Sequence, residues 1–359
     1  MESCNFCKKD CKDQLKSCVC RKVSYCSKEC QAKDWKAHKP SCPPFIIRES
    51  PGKGRGLFAT RKIKEGQLIL EEYPLLTLRK GTSVFEFQVI HYPYIDEETK
   101  EMILKLRDPE ENLDIPDMML LEEDYSDDSD DSEDIDESDK MMKILRIFNG
   151  NNIQICGEED LYRQHTDLGL YSHVSLINHA CVSNSVRSWV MGDFERKQVR
   201  AIKTIEKDEE ILTSYLFPKE FVYGSREFRQ QKLLEFVGFL CQCSVCSLEG
   251  EALLEDDRIR AKIRQKTAEI NQLLSCEESA VEEAMKVAQR KTKLVQKLDI
   301  RSEFFSEMIQ FCGFAVLARK KGISAPDPEI FRQEALKYAK MSGDCYIYSC
   351  NTHINSFGI

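Results

Sequence analysis

What the chain lacks narrows its class first. No stretch of its 359 residues approaches the run of about 18 apolar side chains that a membrane-spanning helix needs, so no span is expected. The start, Met1-Glu2-Ser3-Cys4, has neither a basic n-region nor an apolar h-region, so no secretory leader is expected either. The glycine-rich segment Ser50-Pro51-Gly52-Lys53-Gly54-Arg55-Gly56 has the spacing of neither a dinucleotide-binding turn nor a P-loop. A strong charge spread over the whole chain is missing too. The net charge of −9 comes from one segment: residues 122–140 hold 12 acidic side chains and one lysine, a local −11 that leaves +2 for the rest. With almost nothing to bury, that run is expected to be disordered. A solvated spacer is the default reading, and an internal mimic competing for a basic surface is the sharper one.

Cysteine is what the chain has in excess. It carries 17, and seven of them fall in C-x-C or C-x-x-C spacings. In a chain of this length without a leader, such grouping points to zinc rather than disulfides, and to a reducing compartment, nucleus or cytoplasm. A hydrophobic content of 42% and a charged content of 31% are ordinary for a globular protein. The length predicts about two domains, with room for a substantial core.

Residues 4–42 run Cys4-x2-Cys7, Cys18-x-Cys20, Cys26-x3-Cys30 and His38-x3-Cys42. Eight candidate ligands make two tetrahedral sites, and so short a segment needs the metal for its folding free energy. With Leu15-Lys16-Ser17-Cys18, Tyr25-Cys26-Ser27, Asp34-Trp35 and His38-Lys39 it resembles the MYND zinc finger. The resemblance implies an interleaved cross-brace, with Cys4, Cys7, Cys26 and Cys30 on one ion and Cys18, Cys20, His38 and Cys42 on the other. The family places two residues between the third and fourth ligands. Here Val19 stands alone, which leaves Cys11 open as a substitute. Ten basic against five acidic side chains in residues 1–42 give a face suited to acidic protein partners or, less well, to DNA.

Beyond Pro43-Pro44 the pattern predicts a strand at Phe45-Ile46-Ile47, the glycine-rich loop, then a turn and strand over 63–72. The loop is either a hairpin turn or a place where backbone approaches a ligand closely. Residues 83–120 show roughly helical spacing (Met102, Ile103, Leu106), and a helix is expected at 141–148. Two strands around a charged turn are expected over 199–202 and 205–215, and a helix over 225–236. From 251 onward, apolar positions such as Ile259, Ile263, Ile270 and Leu273, or Val281, Ala284, Ala288, Val295 and Leu298, predict packing helices that could wall a cleft.

Two further segments carry chemistry. Cys241-x-Cys243-x2-Cys246 supplies three thiolates, and Cys181, in Ser175-Leu176-Ile177-Asn178-His179-Ala180-Cys181-Val182-Ser183-Asn184, is the obvious fourth. Together with Gly54-Arg55-Gly56-Leu57 and Glu209-Glu210-Ile211-Leu212-Thr213-Ser214-Tyr215, these resemble a SET domain with its post-SET cluster. With the finger, the chain resembles the SET-and-MYND lysine methyltransferase family, in an arthropod-like arrangement where the finger precedes the SET domain instead of interrupting it.

The resemblance implies a knotted, mostly β SET fold with a helical insert and a helical C-terminal region. It divides the chain into a finger (1–43), a SET domain (44–238), a post-SET cluster (239–250) and a C-terminal region (251–359). It also implies S-adenosylmethionine as cofactor, three zinc ions and a protein substrate whose lysine enters opposite the cofactor. Residue by residue, it places Lys53, Gly54, Arg55, Asn151, Ser175, Asn178, His179 and Phe239 at the cofactor, Tyr215 at methyl transfer, and Tyr171 and Val237 along the lysine channel. Three positions depart from the family: Ala180 replaces a serine, Ser183 a proline, and Val237 a second tyrosine. Loss of that hydroxyl motivates the alternative, a protein-binding adaptor or co-repressor with weak or no turnover.

Overall fold

The computed structural model describes residues 3–9, 15–18, 23–108, 137–155, 167–190, 193–216, 219–276 and 280–342. Cys11, Cys20 and most of the acidic run lie outside these residues.

The finger is a small unit around its sulfurs. Strands β1 (Lys16–Ser17) and β2 (Ser24–Tyr25) pair antiparallel, and α1 (Lys28–His38) starts where the Ser27 side chain accepts a hydrogen bond from the Cys30 amide. A half-buried Asp34 carboxylate accepts from Tyr25 at 2.7 Å and from Asn5 at 2.7 Å, tying helix to ribbon. Arg61 joins finger to the next unit: it donates to the Cys42 carbonyl at 2.9 Å and lies 5.3 Å from the Trp35 ring centre.

Among the described residues, 45–211 hold the remaining strands, as three small antiparallel sheets. In the first, β3 (Phe45–Ser50) and β4 (Gly54–Ala59) form a hairpin, with β11 (Glu210–Ile211) on the far edge of β4. The glycine-rich loop is therefore a hairpin turn, and Gly52 and Gly54 both take positive φ there. The second sheet orders β5 (Leu68–Glu72), β10 (Asp193–Ala201) and β9 (Ser185–Val190). The third orders β6 (Leu76–Arg79), β8 (Asp167–Leu170) and β7 (Ile153–Ile155). One apolar core joins all three, including Leu57, Ile63, Leu70, Leu78, Leu170, Val199 and Ile211.

The described residues of the insert between β6 and β7 are mostly helical: α2 (Val84–Glu86) runs into a π turn over Phe87–His91, followed by α3 (Glu97–Leu104) and α4 (Glu137–Asn151), while 109–120 of the segment with helical spacing lie outside the described residues. The last helix starts earlier than expected. Residues 137–140, counted within the disordered acidic run, are its first turn, because their charges find partners. Glu137 accepts from Tyr92 at 2.6 Å and pairs with the buried Lys100 at 3.0 Å, and Lys140 pairs with Glu97 at 2.7 Å.

The long strand expected over 205–215 is a second correction. Only Glu210–Ile211 forms a strand. Asp208 turns at a φ of 68°, and residues 212–215 leave the sheet to lie along 178–180, where Thr213 and His179 form a parallel bridge.

Helix α5 (Arg226–Val237) is capped by Ser225 and stopped by Gly238 at a φ of 73°. Helices α6 (Gly250–Cys276), α7 (Val281–Lys297), α8 (Phe304–Lys320) and α9 (Pro328–Ser342) follow. The faces predicted for α6 and α7 are the buried ones: Ile259, Ile263, Ile270, Val281, Ala284, Ala288 and Val295. A second core packs Ile259, Ile263 and Val295 directly against Cys181, Cys241, Cys243 and Cys246.

Candidate active site and metal centres

Four sulfurs meet at the base of α5. Cys181, Cys241, Cys243 and Cys246 are all buried, and their sulfurs lie within 4.8 Å of one another. Zn–S bonds of about 2.3 Å in a tetrahedron place sulfurs about 3.8 Å apart. The Cys181–Cys246 separation of 3.5 Å is close to that and far from a disulfide. Hydrogen bonding among the thiols, Cys181 to Cys243 first, holds Cys243 well below the usual thiol range, while Cys241, Cys243 and Cys246 push Cys181 far above it. Four such groups ionise together only around a cation, so the set fits zinc. The buried Arg229 adds positive charge: it reaches Cys246 Sγ at 3.8 Å and is anchored on the Gly224 carbonyl at 2.6 Å.

In the finger, Cys4, Cys7, Cys26 and Cys30 gather as one set. Cys18, His38 and Cys42 gather as another, with His38 Nε2 at 3.4 Å and Cys42 Sγ at 3.8 Å from Cys18 Sγ. Cys20, the fourth ligand assigned from sequence, and Cys11, its possible substitute, both lie outside the described residues.

Beside the buried four-cysteine cluster opens a cavity of about 1260 Å³. Its wall contains Lys53, Gly54, Arg55, Asn151, Ser175, Asn178, His179, Tyr215, Val237 and Phe239, and Ser302 and Glu303 add a strip from the C-terminal region. The sequence scatters these residues over about 250 positions. Tyr171 is the exception. It is buried in the core, donates its hydroxyl to the Glu195 carbonyl at 2.6 Å, and does not line the cavity.

Hydrogen bonding arranges the wall. Segments 178–185 and 210–215 are stitched together by Ala180 N to Thr213 O at 2.9 Å, Thr213 N to Asn178 O at 3.0 Å, and Asn184, which bonds both the amide of Leu212 and the carbonyl of Glu210. Glu210 was read from sequence only as part of a motif, yet it is the hub of one end. One of its oxygens accepts from Asn178 at 2.8 Å and the other pairs with Lys53 at 3.1 Å. A Cβ on Gly56 would stand 2.5 Å from Glu210 Oε1 and 2.8 Å from Asn178 Nδ2, so this hub requires glycine there. Arg55 reaches across to the Lys105 carbonyl at the end of α3, and Ser175 donates to the Asn151 carbonyl at 2.9 Å. The helical insert is thereby held against the hairpin.

The other end is aromatic. The rings of His179, Tyr215 and Phe239 lie 5.4 to 6.3 Å apart, centre to centre. His179 Nδ1 accepts from the Tyr215 amide at 2.9 Å, which leaves Nε2–H to donate to Cys181 Sγ at 3.4 Å. Both ring nitrogens are therefore spent on the protein, and burial holds the imidazole neutral, with its pKa lowered to about 3. Tyr215 donates its hydroxyl to the Ile177 carbonyl at 2.5 Å, and burial raises its pKa. It remains a phenol, able to accept at its free lone pair but unsuited to act as a base.

Arg187 and Glu72 had no signal in the sequence. Arg187 of β9 lies 5.3 Å from the Tyr215 ring centre and lines the cavity, where burial lowers its pKa. Glu72, at the end of β5, accepts from the amides of His173 and Val174 at 2.9 and 2.6 Å and from Ser172 Oγ at 2.8 Å. It fixes the turn that delivers Ser175 to the site.

The family comparisons agree with this geometry. The MYND finger family matches residues 4–42 and the SET domain family residues 54–216. Histone-lysine N-methyltransferase ASHR1 of Arabidopsis thaliana is 30% identical over 266 residues, 68% of this chain and 48% of that protein. N-lysine methyltransferase SMYD2 of Homo sapiens is 26% identical over 256 residues, 71% of this chain and 52% of that protein. The chain thus spans about half the length of the curated relatives it matches. Among solved structures, the SET domain of LSMT bound to lysine and AdoHcy aligns over 91% of this chain and 90% of that one, at 11% identity and a TM-score of 0.29. With its finger and SET domain in this order, the chain belongs to the SET-and-MYND family.

Proposed function

We propose that the chain is an S-adenosylmethionine-dependent protein-lysine N-methyltransferase. The observation that carries this reading is the convergence of the hairpin, Asn178, His179, Tyr215 and Phe239 on one cavity beside a cysteine cluster. Its polar end (Lys53, Arg55, Asn151, Ser175) suits a zwitterionic group, and its aromatic end suits a flat purine. Pockets for one small ligand run to about 1,000 Å³, so this one has room for a cofactor and a side chain together. S-adenosylmethionine would supply an electrophilic sulfonium methyl. The protein's part is positioning: the two stitched segments fix Tyr215, whose oxygen can orient an amine along the transfer axis. A lysine with an ordinary pKa of about 10.4 must shed its proton, and a dry wall bearing Arg187 favours the neutral form.

Calorimetry with S-adenosylmethionine, followed by transfer of labelled methyl to protein, tests the reading. Binding is expected, and Tyr215→Phe should lower transfer by about 10-fold or more while leaving the fold intact. A protein that binds no cofactor is not this enzyme.

We further propose three zinc ions, two in the finger and one at Cys181, Cys241, Cys243 and Cys246. The domain partition drawn from sequence, protein partners for the finger and residence in nucleus and cytoplasm are part of the same proposal. DNA contact through the basic finger is its weakest element and predicts a steep loss of binding with salt. One observation favours a second reading, an adaptor or co-repressor with weak turnover. Val237 is exposed at the cavity wall, where it offers the acceptor no hydroxyl.

A further inference from the structure

One half-buried cation on the cavity wall has no polar partner among the described residues. Arg187 lies midway along β9, opposite Val199 of β10, and makes no hydrogen bond or ion pair with any described residue. The other cations are accounted for. Lys53 is paired with Glu210, Arg55 is bonded to the Lys105 carbonyl, and Arg107 is exposed. Neither carboxylate of the lining, Glu49 or Glu303, pairs with Arg187. A guanidinium cannot shed its charge, so its placement in a half-buried wall calls for acceptors. One face is used against the Tyr215 ring, but the N–H groups lie in the guanidinium plane and stay unspent. Their fork matches a carboxylate.

We propose that Arg187 recognises a carboxylate on the methyl acceptor, making this a site for lysine presented beside an anionic group. The inference rests on the methyltransferase reading of the cavity and names its substrate class. The guanidinium lies beside the Tyr215 ring, the group assigned to methyl transfer. There, a lysine alone would meet one cation in Arg187 and another in the sulfonium. A carboxylate carried on the acceptor would pair with Arg187 and anchor the acceptor there, leaving the sulfonium to disfavour the charged form of the amine. Two sources offer this chemistry: an acidic side chain flanking the lysine, or the terminal carboxylate of a chain ending in lysine.

The test uses the zinc-loaded full chain saturated with S-adenosylhomocysteine and fluorescent lysine peptides in matched pairs. One pair has glutamate or glutamine flanks, and the other ends in lysine as the free acid or the amide. Anisotropy should show one carboxylate peptide binding about 10-fold tighter than its neutral match, and the pair that does so identifies the source. Arg187→Gln should collapse that ratio to about one, and Arg187→Lys should keep part of it, with circular dichroism and zinc content confirming the fold. If Arg187→Gln does not fold, a wild-type ratio undiminished in Arg187→Lys overturns the proposal. Equal binding within both pairs, no binding by any peptide, or a preference that survives Arg187→Gln also overturns it. So does a matching loss of S-adenosylmethionine affinity in Arg187→Gln, which would give the residue to the cofactor. A carboxylate preference without methyl transfer would defeat the enzyme reading alone and leave this one standing.

Discussion

Gly56 and His179 show how little of the site depends on chemical function alone. Gly56 contributes no group, but its missing Cβ lets Glu210 and Asn178 meet over the hairpin. Gly56→Ala should destabilise the chain by about 1–3 kcal/mol, the usual cost of overpacking. It should also weaken S-adenosylmethionine binding, as thermal unfolding and calorimetry would show; an alanine tolerated on both counts would remove Glu210 from the hub. His179 acts through its two nitrogens, joining the Cys181 sulfur to the Tyr215 amide. Cys181→Ser should therefore lose one zinc and also lower cofactor affinity by about 10-fold, in line with outer-shell effects at metal sites. Unchanged affinity in a zinc-depleted variant would break that link. From sequence the Asn-His-Ala-Cys string is expected to join cofactor and metal, but which way the imidazole nitrogens point depends on a segment thirty-odd residues away.

At the scale of elements, the turn between β8 and the 178–185 segment depends on a carboxylate from another sheet. Burial disfavours ionisation of Glu72, but the His173 side chain and the Val174 amide outweigh it and hold the pKa below the usual 4.5. A depressed carboxylate stabilises the fold above its unfolded pKa, and that contribution is lost as pH falls through the folded value. Stability should thus decline as pH drops below about 4.5. Glu72→Gln should cost about 1–3 kcal/mol at pH 7, with the gap to wild type closing in acid. Denaturant titrations at pH 7 and pH 3 would check this, and a gap of constant size would exclude the carboxylate as the cause. Helices such as α5 were legible because their caps are local: Ser225 before, Gly238 after. Residues 137–140 were misread because what orders them, Tyr92, Lys100 and Glu97, lies some forty residues upstream. The strand expected at 212–215 failed for the same kind of reason, since its backbone pairs with 178–180 rather than with a sheet.

At the scale of the molecule, metal and core are not separate systems. The second core runs from Cys181 and the Cys241 cluster into α6 and α7, so the C-terminal helices bear on the site although no residue in them suggested chemistry. Elemental analysis should return three zincs per chain, and two or fewer would overturn the ligand assignment. Chelation should lower the unfolding temperature as well as abolish cofactor binding, because ligand spacing and folding are coupled. The sequence by itself determined the grouping of Cys4, Cys7, Cys26 and Cys30, the grouping of Cys181 with Cys241, Cys243 and Cys246, and the family. Those are matters of residue type at short spacing, which a chain carries in plain form. Only the tertiary structure decided that Tyr171 belongs to the core, that Glu210 holds the hairpin, and that Arg187 stands unpaired beside Tyr215. Each of those depends on partners far away in the chain, and side-chain burial and pairing are set by the packing that brings such segments together.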